Sequence, residues 1–147
     1  MTQTSYRTLA SAALLAFALL FLVSGPARLT AQAVPQPDIR ITEVPPSTTG
    51  GPDAMYPIAG TVSGVPAKDY RVVVYVYAGS QWFVQPFDYA PLTEIRANLK
   101  FETETHGGMT YAVLLVKAGY KAAATLVALP DVGGDVAARH RVAGKRE

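Results

Sequence analysis

Tyr75, Tyr77, Trp82, Phe83, Phe87 and Tyr89 crowd into one short stretch, with Gln81, Gln85 and Asp88 among them. Flat aromatic rings offer apolar faces on which the C–H face of a sugar ring can stack, and polar neighbours can meet its hydroxyls. Pro86 and Pro91 put Phe87 and Tyr89 in a loop, where binding residues concentrate. The candidate ligand-binding platform is therefore Tyr77, Phe87 and Tyr89, with Gln85 and Asp88 as polar partners. Trp82 is read as core, since a central aromatic commonly packs between the sheets of a sandwich.

Other residue types point away from catalysis. Glu102 and Glu104 alternate with threonines and share one strand face, as a solvated face does. Glycosidase chemistry instead needs two carboxyls facing each other across a substrate. His106 lies near Glu104 and before Gly107-Gly108, but one His and one carboxylate fall short of a metal-ligand set. Asp131-Val132-Gly133-Gly134-Asp135 lacks the ligand count of a calcium loop. The chain has no cysteine, no Gly-x-Ser-x-Gly elbow and no phosphate-cradling Gly-Lys-Ser/Thr motif. No catalytic residue, metal site or cofactor is assigned.

The elements that must position the aromatics are short β-type runs: Ile39–Val44, Ile58–Val65, Tyr70–Ala78, Gln81–Val84, Thr93–Ala97, Phe101–Thr105, Thr110–Ala118 and Ala122–Ala128. From the second onward they recur at about 8–12 residues, the spacing of a sandwich or barrel. Pro45-Pro46, Gly50-Gly51-Pro52, Val65-Pro66 and Gly107-Gly108 supply turns between them. In Tyr70–Ala78, Val72, Val74 and Val76 face one way and Val73, Tyr75 and Tyr77 the other. That strand wants burial on one side and a partly covered aromatic surface on the other. Ala112–Val116 is apolar on both faces and belongs in the middle of a sheet. Ala122–Ala128 fits either a helix or a final strand, and its position after Gly119 favours the strand. Residues 131–147, with paired glycines and no aromatic residue, read as a weakly ordered tail.

Residues 1–33 have the form of a signal peptide. Arg7 precedes the mostly apolar run Leu9–Val23, Ser24-Gly25-Pro26 interrupts it, and Ala31-Gln32-Ala33 has the small-x-small form of a cleavage site. The rival is an inner-membrane anchor through residues 8–27, although a spanning helix needs about 20 predominantly apolar residues. Cleavage would remove 33 of the 147 residues and leave 114, enough for one domain. It would also remove Arg7 and Arg28, leaving 11 basic against 11 acidic residues. A neutral chain of this kind lacks the basic face of a nucleic-acid binder. Without cysteine, stability must come from apolar burial and a hydrogen-bonded sheet. The expected organisation is a signal peptide at 1–33, an exit linker at 34–38, a β-sandwich at 39–130 and the tail at 131–147.

From Ile58 to Tyr120 the chain resembles a bacterial exported accessory module of the immunoglobulin-like or fibronectin-type-III-like kind. The resemblance rests on Gly60-Thr61-Val62-Ser63-Gly64-Val65, Tyr70-Arg71-Val72-Val73-Val74-Tyr75-Val76 and Trp82-Phe83-Val84-Gln85-Pro86, followed by Thr93-Glu94-Ile95 and Gly107-Gly108. It implies a single antiparallel β-sandwich with a binding or spacing role, such modules occurring alone or attached to secreted carbohydrate-active enzymes. Ala97-Asn98-Leu99-Lys100 and Met109-Thr110 depart from the module's usual turn and acidic positions, so no ligand role is carried over to them.

The sequence therefore predicts an all-β, non-catalytic module, secreted or periplasmic, that binds a polysaccharide or an envelope protein. The other readings are an envelope or adhesion spacer without a ligand, and a small secreted hydrolase using Glu94, Glu102 or His106.

Overall fold

The computed structural model describes residues Ala33 to Arg146. The expectations for the export segment and for an anchor at residues 8–27 lie outside the described residues, Ala33 apart. In chain order the strands are β1 (Asp38–Glu43), β2 (Gly51–Ser63), β3 (Tyr70–Ala78), β4 (Gln81–Gln85), β5 (Leu92–Glu94), β6 (Lys100–Gly107), β7 (Thr110–Lys117), β8 (Thr125–Leu126) and β9 (Val136–Ala143). They form two antiparallel sheets packed together, as the sequence predicts. The smaller runs β1-β2-β6; the larger runs β8-β4-β3-β7-β9, with β5 also beside β3.

The period-two alternation of β3 and β7 builds two apolar layers. Between the sheets, Val72, Val74 and Val76 with Tyr111, Val113 and Leu115 meet Ile39, Ile41, Ile58, Val62 and Phe101. On the outer face of the larger sheet, Val73, Tyr75, Trp82, Val84, Ala112, Leu114 and Val116 form a second buried cluster. The segment after β7 lies over it as a strap, with Tyr120, Ala122, Leu126 and Leu129 packed on the cluster. The Tyr75 hydroxyl donates to the Ala123 carbonyl at 2.9 Å and ties the strap down. Burial first, and the neighbouring Tyr120 second, push its pKa up to about 12 against that hydrogen bond. The apolar character of both faces of Val72–Val76 thus has a simple cause: over that stretch neither face meets bulk water. Trp82 is buried as expected, but beneath the strap rather than between the sheets.

Three expectations are corrected by the backbone. Residues 136–143 of the predicted weakly ordered tail form β9, paired with β7 along most of its length. Its charged composition hides a period-two pattern: Ala138, His140 and Val142 lie opposite the inward-facing Leu115, Val113 and Tyr111, while Arg139 and Arg141 face out. The final strand expected at Ala122–Ala128 shrinks to the two residues of β8, because most of that segment serves as the strap. Gly51-Pro52, read as part of a turn, already belongs to β2, which carries an irregularity between Gly51 and Met55.

Candidate functional site

The two sheets meet along two lateral edges. At the first, β1 lies against β9, and residues 45–48 run on across the gap. The Ile41 N–H donates to His140 Nδ1 at 3.1 Å. Ser47 N donates to the Lys145 carbonyl at 2.7 Å, Lys145 N to the Pro45 carbonyl at 2.9 Å, and Thr48 N to the Gly108 carbonyl at 3.0 Å. The buried Tyr111 hydroxyl donates to the Pro46 carbonyl at 2.7 Å and accepts from Gly108 N at 3.0 Å. Gly107-Gly108 permits this closeness, since a Cβ on Gly107 would collide with Thr48 Oγ1 and one on Gly108 with Val76.

At the second edge β4 faces β6, and one buried side chain joins them. Gln85 Oε1 accepts from the His106 backbone N–H at 2.8 Å and lies 2.8 Å from His106 Nδ1. The amide oxygen can only accept, so Nδ1 carries the hydrogen in this arrangement. Beside the Gln85 strut an open cleft of about 690 Å³ runs between the start of β2 and the β3–β4 hairpin. Phe83, Phe87, Asp88, His106 and Pro52 line it. Gly79, at φ 63°, supplies the left-handed residue of that hairpin turn.

Phe87 and Tyr89 stand at this edge. Their rings are stacked, with centroids 5.1 Å apart and planes 4° from parallel. The other neighbour of Phe87 is the His106 ring, edge-on at 5.9 Å. Tyr89 is 79% exposed and Phe87 41%, so water wets a flat aromatic surface that has rigid backing. The isolated bridge between Phe87 and Ala90 holds the loop in shape.

The five predicted site residues are thus divided. Phe87, Tyr89 and Asp88 come together on the exposed loop at the mouth of the cleft. Gln85 is 3% exposed and spends its amide on His106, so it supports the loop from beneath. Tyr77 lies on the other face of the larger sheet, tilted at 54° against Trp82 with centroids 5.1 Å apart. Sequence reading left Phe83 out of the platform, weighed His106 only as a metal ligand or hydrolase residue, and did not name the residues at the start of β2. The available signal for Phe83 was its alternation with Trp82, which puts the two rings on opposite faces.

Glu102 and Glu104 are exposed on one face of β6, and Glu102 pairs with Arg96 at 2.9 Å. They face solvent rather than each other across a cleft. Among the described residues no group of three or more His, Cys, Asp or Glu side chains is placed to hold a metal ion. The cleft can stack and hydrogen-bond a ligand through Phe83, Phe87, Asp88 and His106. No protein-family model matches the chain, and no curated protein or solved structure matches it either.

Proposed function

We propose that this chain is an exported, non-catalytic β-sandwich module of the immunoglobulin-like, fibronectin-type-III-like kind that binds polysaccharide at the cell envelope. The observation that carries the binding reading is the stacked, solvent-exposed Phe87–Tyr89 pair at the mouth of the cleft. A monomer that exposes backed aromatic rings beside a cleft has left unburied what burial would normally claim. Sugar C–H faces suit the rings, and Asp88, which lines the same cleft as Phe87, suits sugar hydroxyls.

Two features support the finer fold reading. A three-stranded sheet β1-β2-β6 packed on a larger antiparallel sheet suits the two-sheet architecture of immunoglobulin-like and fibronectin-type-III-like modules. Tyr111, at the start of β7, bonds back to the backbone three residues upstream, as the tyrosine corner of immunoglobulin-like folds does. Export rests on Arg7, Leu9–Val23 and Ala31-Gln32-Ala33.

Affinity electrophoresis through gels carrying a panel of neutral and acidic polysaccharides tests the binding reading. At least one polymer should retard the wild type, and Tyr89→Ala should bind it about tenfold more weakly, about 1.4 kcal/mol. Absence of retardation by every polymer would favour a spacer role. N-terminal sequencing of exported protein should begin at Val34; an intact Met1 in the membrane fraction would contradict cleavage.

A further inference from the structure

The outer face of the larger sheet carries a second groove, of about 650 Å³, lined by Tyr77, Trp82, Thr110, Arg139 and Arg141 with residues 127–129 of the strap. It exists because β7 presents small residues here. Thr110 stands between Tyr77 of β3 and Ala143 of β9, and Ala112 stands opposite Arg141. Larger side chains on β7 would fill the space.

The two arginines do different things. Arg139 Nη1 donates to the Pro130 carbonyl at 2.8 Å and the Leu129 carbonyl at 3.4 Å, and lies 3.9 Å from Asp131. It holds the strap in place as the groove wall. Arg141 is exposed, reaches the groove, and has no hydrogen-bond or ion-pair partner among the described residues. No carboxylate lines the groove, so its charge is positive. An unengaged guanidinium offers a planar fork that matches a carboxylate bidentately.

The rest of the lining narrows the ligand. Tyr77 and Thr110, paired on neighbouring strands, bring hydroxyl groups to a groove whose strap side carries Val127, which is 80% exposed, and Leu129. A fatty acid would leave the hydroxyls without partners, and a bare inorganic anion would leave the apolar wall wet. A sugar acid has an apolar C–H face, a rim of hydroxyls and a carboxylate on one ring. We propose that this groove is a subsite for an acidic saccharide, with Arg141 taking the carboxylate and Tyr77 the ring. It lies on the opposite face from Phe87 and Tyr89 and stands whether or not they bind a polymer.

Trp82 is the only tryptophan of the chain and lines the groove, so its fluorescence reports on this site. Titration of the exported chain with trigalacturonate should give a saturable change in Trp82 emission. The fully methyl-esterified trisaccharide should give none at the same concentrations. Arg141→Gln should weaken trigalacturonate at least tenfold, Arg141→Lys should recover part of that loss, and Tyr89→Ala should leave the titration unchanged. A silent titration, equal binding of acid and ester, or an Arg141→Gln variant that binds like the wild type would each overturn the proposal. Loss in Tyr89→Ala as well would overturn the independence of the two sites.

Discussion

The two edges of this sandwich differ in what closes them. Along β1 and β9 the gap is closed by backbone: residues 45–48 pair with Lys145 and Gly108, Tyr111 fastens Pro46, and His140 takes the Ile41 N–H. Along β4 and β6, Gln85 reaches across to the His106 backbone, and an open cleft with exposed aromatic rings follows. Buried backbone groups that lose their partners cost free energy, so the closed edge can change little without unfolding. The open edge keeps rings in water on a loop that other side chains hold up. The backbone-closed edge serves stability, and the open edge is the one proposed for recognition.

The largest effect on stability should come from the closed edge. Tyr111→Phe removes the hydroxyl between Pro46 and Gly108 and leaves both backbone groups without it. The expected loss is roughly 2–4 kcal/mol from two forfeited hydrogen bonds at a buried site, measured by denaturant unfolding. Unchanged stability would mean that water replaces the hydroxyl and the edge is not closed in solution. Gln85→Leu comes next, at about 1–2 kcal/mol, because the half-buried His106 N–H loses its acceptor. It should also disturb the Phe87–Tyr89 loop, so binding weakens with stability.

His140 gives the closed edge a pH dependence. Burial first, and the nearby Arg40 second, hold its pKa below the ordinary 6.5, with Asp38 opposing. A lowered folded-state pKa means the unfolded chain binds the proton more readily, so stability is complete above about pH 6.5 and falls as pH drops toward the folded value. Protonation also removes the acceptor for Ile41 N. Thermal midpoints between pH 7.5 and 5 should therefore decline slightly more in the wild type than in His140→Gln. The smallest effect on stability belongs to Tyr89→Ala, within about 0.5 kcal/mol as for other exposed sites. A larger loss there would mean that the exposed pair serves the fold and would erase the contrast between the edges.

Much of the scaffold was legible in the residues themselves. Tyr70–Ala78 and Thr110–Lys117 are apolar on both faces, and both proved central, each with a buried layer on either side. Pro86 and Pro91 correctly marked the loop that exposes Phe87 and Tyr89. The rest needed contacts distant in sequence. Gln85 looks like a polar group beside a binding loop until β6 is placed across from it, 21 residues away. Tyr77 looks like a neighbour of Phe87 until the faces of β3 and β4 are separated, which alternation alone would have allowed. Gly133-Gly134 and the lack of aromatic residues suggest a weakly ordered tail until the period-two pattern of Ala138, His140 and Val142 is set against β7.

The contrast between the edges is tested most directly by mapping where a ligand lands. Backbone amide chemical shifts, followed by NMR while adding oligosaccharide from a polymer that retards the chain, should move at residues 49–52, 81–91 and 106–108. Residues 38–48 and 138–146 should remain still, apart from the Arg141 surroundings when the sugar is acidic. Shifts concentrated along β1 and residues 45–48, with the Phe87–Tyr89 loop unmoved, would contradict the division of labour between the two edges.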